Sequence, residues 1–136
     1  MAKDSEDAEK AGEQNEVIIT TAALEFMLHA ARNTYPDEFA ALLRKNKKGQ
    51  ISEVLVIPQT IYGEDFSSIN FYNVAYTSGH CGSVHSHPSR DPRPSRADLA
   101  FFKASGDTHI IIAYPFTPNA LRAYDSKGKA LPIKIA

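Results

Sequence analysis

The pattern of apolar and polar positions along the chain predicts two amphipathic helices. In the first, apolar residues recur at the i, i+3, i+4 and i+7 spacing of one helix face: Leu24, Met27, Leu28 and Ala31. Thr20 or Thr21 offers a hydroxyl that caps its first turn, and we expect the helix to run to about Asn33. A second helix is expected over residues 95–105, with Gly106 ending it.

Short apolar runs outside these helices predict a sheet. The predicted strands are residues 17–19, 38–43, 51–57, 81–87, 108–114, 121–124 and 130–135. Residues 66–77 are expected to add one strand plus a turn or a short helix. The last two strands flank a turn at 125–128 and predict a closing hairpin. This order predicts one α/β domain with a mixed, mainly antiparallel sheet and helices packed on it.

Composition divides the chain into a tail and a domain. Residues 1–16 hold six acidic residues and two lysines, with no aromatic or branched apolar side chain. Such a segment cannot bury enough apolar surface to offset its ordering entropy, so we expect a disordered tail. An acidic docking tail is the alternative. Residues 17–136 form the predicted domain, with 13 basic and 10 acidic residues.

Charge and cysteine content narrow the classes of partner and compartment. The net charge of −1 does not indicate binding to nucleic acid or to a membrane surface. No apolar run approaches the ~20 residues that cross a bilayer, and residues 1–6 lack the apolar core of a signal peptide. With Cys81 as the single cysteine, no disulfide can form within the chain. We therefore expect a cytoplasmic protein, either a monomer or a homodimer.

The side chains that could bind a metal lie within residues 85–98. In a strand, His85 and His87 project to the same face, because side chains alternate. Ser95 and Asp98 would share one face at the start of the second helix. Two imidazoles, a carboxylate and an open position for water are what a catalytic zinc site needs. Helix capping also accounts for the serine and the aspartate, but for neither histidine.

The spacing His-x-His-x7-Ser-x-x-Asp resembles the signature of the JAMM (MPN+) metalloprotease family, and the resemblance covers nearly all of residues 17–136. It implies the family's fold, a curved sheet resembling that of cytidine deaminases with helices on either side. It also implies that His85, His87 and Asp98 hold zinc. Ser95 would then hydrogen-bond the oxyanion that forms during amide hydrolysis.

Glu38 is the candidate general base by the same resemblance. Residues 36–43 are similar to the family's first-strand segment, in which a glutamate follows the first helix. A carboxylate at the head of an apolar strand is costly to bury without a partner. The alternative is a strand-end glutamate that faces water.

The resemblance implies a zinc-dependent isopeptidase that cleaves the amide bond after the C-terminus of a ubiquitin-like protein. Family members that select particular ubiquitin chains carry insertions near the site, whereas nine residues separate Asp98 from Thr108 here. The chain therefore looks like a minimal prokaryotic type. A ubiquitin-like or sulfur-carrier protein of the β-grasp type is the expected substrate, and processing of a sulfur-carrier precursor is an alternative activity.

Four further interpretations remain. A non-catalytic MPN scaffold subunit would share the fold, although such relatives typically lack some ligands. RadC-like proteins show a similar motif and are associated with DNA repair, but no basic helical stripe supports nucleic-acid binding here. Two histidines and a carboxylate also form the facial triad of non-haem iron oxygenases. Cys81 with His80 or His85 would suggest a cysteine hydrolase, but a cysteine acting as a small apolar residue is the simpler interpretation.

Overall fold

A computed structural model describes residues 15–56, 79 and 81–136. Two α-helices, eight β-strands and a short 3₁₀ helix follow one another in the described residues. Their order is β1 (Val17–Ile19), α1 (Thr21–Thr34), β2 (Ala40–Lys45), β3 (Ile51–Val56), β4 (Gly82–His87), α2 (Arg96–Ala104), β5 (Thr108–Ala113), the 3₁₀ helix Pro118–Ala120, β6 (Leu121–Tyr124), β7 (Ala130–Leu131) and β8 (Ile133–Ile135).

Both predicted helices form at the expected places. The Thr20 side chain caps α1 by accepting a hydrogen bond from the Ala23 N–H at 3.2 Å. The predicted apolar stripe is buried throughout. Helix α2 begins after Ser95, whose hydroxyl accepts a hydrogen bond from the Asp98 N–H at 3.1 Å. Strand β2 starts at Ala40, two residues later than the predicted strand.

The described strands form one mixed sheet in the order β7-β6-β5-β4-β2-β3-β1-β8. Strands β4 and β5 are parallel, as are β1 with β3 and β1 with β8, and the other neighbours are antiparallel. The two edge strands, β7 and β8, are separated in the chain by Pro132 alone. The sheet must therefore curve until its two edges meet at this proline. The predicted α/β class and the curvature implied by the resemblance are both confirmed.

The predicted closing hairpin forms only in part. Tyr124 pairs with Ala130 and Ala123 with Leu131, as a hairpin requires. Residues 133–135, however, leave this pairing and add to β1 at the opposite edge of the sheet. Pro132 stands between the two segments, and its carbonyl accepts a hydrogen bond from the Val17 N–H at 2.8 Å.

The sheet has a hydrophobic core on each face. The α1 face is the side that packs against α1 and holds most of the buried apolar residues, among them Met27, Val84 and Ile110. The α2 face is the side that packs against α2, and its core is smaller. It is formed by Ala40, Leu42, Phe101, Phe102, Ile111 and Tyr124. Because side chains alternate along a strand, residues 83, 85 and 87 of β4 belong to the α2 face.

Two predictions concern residues outside the described ranges. Residues 1–14 of the expected disordered tail and the strand expected within residues 66–77 belong to this group. None of the helices among the described residues combines the length and the apolar content of a membrane span.

The parallel pair β4–β5 depends on a glycine. Gly82 lies opposite Thr108, and a Cβ atom placed on it would lie 1.5 Å from the Thr108 carbonyl oxygen. The Thr108 backbone could move away from such a Cβ atom only by breaking the pairing of β5 with β4. Gly82 thus allows the strand that carries His85 and His87 to approach β5 closely.

Gly82→Ala should lower the free energy of unfolding by about 3 kcal/mol or more, because the added methyl overlaps the neighbouring backbone. Gly49→Ala is the matched control. Gly49 has a φ of 80° but open space around its Cβ position, so its replacement should cost only about 1 kcal/mol. Chemical denaturation of both variants tests this, and equal losses would contradict the steric explanation.

Candidate metal centre

His85 and His87 lie at the carboxyl end of β4 and project together, as their alternation predicts. Their Nε2 atoms are 3.1 Å apart. His85 is buried and His87 is half-buried. The two imidazoles therefore present one nitrogen each to a common point near the surface.

The loop after β4 fixes the orientation of His87. The Nδ1–H of His87 donates to the Asp91 carbonyl at 2.9 Å, which turns Nε2 toward His85 and Asp98. The Asp91 carboxylate in turn holds the Arg93 side chain in contacts of 2.9–3.1 Å. The Tyr124 hydroxyl donates to the Pro92 carbonyl at 2.7 Å and ties this loop to β6.

Asp98 joins the helix cap to the imidazole pair. Its Oδ1 lies 3.1 Å from Nε2 of His85, and its Oδ2 lies 3.2 Å from Nε2 of His87. The same Oδ2 accepts the Ser95 N–H at 2.8 Å, and together with the serine cap this completes a capping box. Capping and clustering were alternative interpretations of this pair in the sequence, and both are present.

The electrostatics of the cluster favour an ionised carboxylate. Burial alone would raise the pKa of Asp98, but its hydrogen bonds with His85 and His87 hold that pKa well below its usual range. Burial would lower the pKa of His87, yet Asp98, the Asp91 carbonyl and the charge of Glu38 together raise it. The Glu38 carboxylate is thus close enough to act on the same imidazole.

The donor set fits zinc. One ligand atom from each of His85, His87 and Asp98 lies within 4.8 Å of the others. Zinc–nitrogen bonds of about 2.0–2.1 Å in a tetrahedral arrangement would separate neighbouring ligand atoms by about 3.3 Å. The separation of the two Nε2 atoms, 3.1 Å, is close to this value, and each Nε2 meets one oxygen of the Asp98 carboxylate at 3.1 or 3.2 Å.

Glu38 lies on the same side of the sheet as the cluster. Phe39 and Ser86 are joined by two hydrogen bonds: the Ser86 N–H donates to the Phe39 carbonyl at 2.9 Å, and the Phe39 N–H donates to the Ser86 Oγ at 2.8 Å. This continues the β2–β4 pairing and sets the half-buried Glu38 opposite His87. Asp37, its neighbour in sequence, is exposed in the turn after α1, where its N–H donates to the Thr34 carbonyl at 2.9 Å.

Ser86 lies between the two histidines and anchors the neighbouring strand. Alternation along β4 turns its side chain away from the metal cluster. Its hydroxyl nevertheless holds the backbone next to Glu38, a long-range contact that no local pattern predicts. His109 is also outside the cluster, and it is buried with both ring nitrogens hydrogen-bonded.

Cys81 does not have the properties of a nucleophile. Burial raises the pKa of its thiol above the ordinary value, whereas a catalytic thiolate needs a lowered one. It packs against the core of the α1 face. His80, the other candidate partner of Cys81, lies outside the described ranges.

Comparison with known proteins places the sequence among metalloproteases. The family of prokaryotic homologs of the JAB domain (Prok-JAB) matches residues 20–127. A probable metalloprotease of Haloferax volcanii is 34% identical over 127 residues, which cover 86% of this chain and 78% of that protein.

Solved structures agree with this assignment. A structure described as JAMM, a metalloprotease-like zinc site in the proteasome and signalosome, is 31% identical with a TM-score of 0.71, covering 89% of this chain and 98% of that one. A JAB1/MPN domain protein from Archaeoglobus fulgidus is 31% identical with a TM-score of 0.69, covering 89% and 97%. A Desulfitobacterium hafniense protein, 21% identical with a TM-score of 0.63 over 88% and 92%, shares the fold. With a fold, a donor set and relatives that agree, the chain belongs to the JAMM/MPN+ family of zinc metalloproteases, as a minimal prokaryotic member.

Proposed function

We propose that this protein is a zinc-dependent isopeptidase that hydrolyses the amide bond after the C-terminus of a ubiquitin-like protein of the β-grasp type. The observation that carries the proposal is the convergence of His85, His87 and Asp98 within 3.1–3.2 Å, with Glu38 opposite His87 on the same face. A metal site beside a half-exposed carboxylate is the arrangement that metal-assisted amide hydrolysis requires.

His85, His87 and Asp98 are the proposed ligands. Zinc held there would lower the pKa of a bound water to about 7 and polarise the scissile carbonyl. The hydrogen bond from Nδ1 of His87 to Asp91 keeps Nε2 available as a lone-pair donor. The low pKa of Asp98 keeps its carboxylate ionised, as a ligand must be.

Glu38 is the proposed general base. It accepts a proton from the attacking water and later delivers it to the leaving lysine amine. Its position opposite His87 supports this role, because the water must lie between the ligand cluster and the base. The pairing of Phe39 with Ser86 anchors the backbone next to this carboxylate.

Ser95 is the proposed oxyanion donor. Its Oγ accepts a hydrogen bond from the Asp98 N–H, which leaves the hydroxyl proton free to donate. A hydroxyl that donates to the developing oxyanion contributes about 3 kcal/mol of transition-state stabilisation. The capping box keeps the serine next to the cluster, because its N–H donates to the Asp98 Oδ2 at 2.8 Å.

We base the proposed substrate on the short segment of chain that follows Asp98. Helix α2 ends at Ala104 and β5 begins at Thr108, so the segment that follows Asp98 carries no long insertion. A domain without an insertion between α2 and β5 fits the flexible tail of a small β-grasp or sulfur-carrier protein. A processing protease for a sulfur-carrier precursor would use the same groups on a peptide bond.

The direct test is hydrolysis of a ubiquitin-like protein joined to a lysine amine, with zinc and with or without a chelator. We expect cleavage that the chelator abolishes and added zinc restores. Cleavage only of precursor peptide bonds would favour the processing protease. Absence of cleavage of either substrate by zinc-loaded protein would favour the scaffold function and contradict the proposal.

Replacing the general base should separate metal binding from hydrolysis. Glu38→Gln is expected to retain the zinc content of the wild type and to lower kcat by about 100- to 10,000-fold, because the side chain can no longer accept the proton. Asp37→Asn removes the same charge from the exposed neighbouring residue and should change kcat less than about twofold. Equal effects of the two substitutions would refute the role of Glu38.

Zinc retention should depend on pH with a definite sign. His85 and His87 bind metal only when Nε2 is unprotonated, and the raised pKa of His87 lets protons compete at a higher pH. We expect dialysis at about pH 5.5 to remove most of the zinc that is retained at about pH 7.5. Elemental analysis measures this, with circular dichroism to check that the fold persists. Equal zinc content at the two pH values would contradict the expected competition between protons and zinc.

A further inference from the structure

A second buried histidine lies behind the metal cluster and has no part in the chemistry above. His109 is fully buried on β5, and its ring lies flat on the ring of Phe102, with centroids 4.1 Å apart and an angle of 9° between the planes. It also contacts Phe101 edge-on at 6.2 Å. In the β4–β5 pairing it stands opposite Ser83.

Both ring nitrogens of His109 are hydrogen-bonded, and the partners fix its tautomer. Nε2 lies 2.9 Å from the Gly106 carbonyl, which only accepts, so Nε2 carries the proton. Nδ1 therefore accepts from the Ser83 hydroxyl at 2.7 Å. Burial lowers the pKa of His109 to about 4, so the imidazole is neutral near pH 7 and both hydrogen bonds persist.

These partners belong to the two elements that carry the metal cluster. Ser83 precedes His85 by two residues on β4 and shares its face of the sheet. Gly106 follows α2, the helix whose first turn holds Asp98. His109 thus ties the histidine strand to the far end of the aspartate helix.

Phe102 completes the link. It lies four residues after Asp98 on α2, and therefore on the same helix face. Its ring is stacked on His109 and lies 6.5 Å from the ring of His85. A rotation or shift of α2 that loosened Phe102 would also change the 3.1 Å approach of Asp98 to His85.

We propose that His109 is a positioning residue for the metal centre: through Ser83, Gly106 and Phe102 it sets the separation between His85 and Asp98. This deepens the proposed function, on which it rests for the identity of the ligands. His109 touches neither metal nor substrate. Its loss should weaken zinc binding beyond what the accompanying loss of stability explains.

The test compares three variants. His109→Phe retains a flat ring against Phe102 but leaves the Ser83 hydroxyl and the Gly106 carbonyl without their partner. His109→Gln retains an amide that can donate to Gly106. Ile112→Ala, the matched control, removes buried volume from the same strand on the α1 face. Zinc affinity is measured by competition with a chromophoric chelator, with the visible spectrum of the Co²⁺-loaded protein as a report on ligand geometry.

We expect His109→Phe to weaken zinc binding on the order of tenfold and to change the Co²⁺ spectrum. His109→Gln should recover part of both. Ile112→Ala should lower the melting temperature while leaving the zinc affinity within about twofold and the spectrum unchanged. If His109→Phe fails to fold, His109→Gln and Ile112→Ala alone decide, with weaker zinc binding expected in the glutamine variant only.

Two results would overturn the proposal. One is wild-type zinc affinity and an unchanged Co²⁺ spectrum in a folded His109 variant. The other is a loss of affinity that Ile112→Ala reproduces at equal loss of stability. These measurements use metal alone, so failure to cleave a ubiquitin-like conjugate would reject the proposed substrate without deciding the role of His109.

Discussion

The site depends on the contacts that the Asp98 carboxylate makes. It accepts the Ser95 N–H as part of a helix cap and at the same time meets both imidazoles at 3.1 and 3.2 Å. A buried carboxylate needs several such partners to remain ionised. Because the cap fixes the start of α2, the position of the helix and the shape of the metal cluster are determined together.

The sheet supplies the second constraint. Alternation along β4 brings His85 and His87 to one face, while the close approach permitted by Gly82 holds that strand against β5. Strand β2 pairs with β4 in the antiparallel direction. This pairing places Glu38, which lies just before β2, opposite His87. Three neighbouring strands and one helix start therefore contribute the proposed base, the ligands and the supporting contacts.

Much of this was predictable from local sequence, because its causes are local. The spacing of the helix stripe, the strand alternation and the Ser95–Asp98 cap each depend on residues a few positions apart. The sequence could not indicate that residues 133–135 join β1, since that pairing depends on how far the whole sheet curves. Nor could it indicate that Ser83 would meet His109, because a contact across 26 positions leaves no periodic signal.

Anomalous diffraction at the zinc absorption edge, from crystals of the zinc-loaded protein, tests the central claim most directly. The account predicts one strong peak about 2.0–2.1 Å from Nε2 of both His85 and His87, with an oxygen of Asp98 at a similar distance. A folded protein with no peak between these three side chains, or with its zinc bound elsewhere, would contradict it.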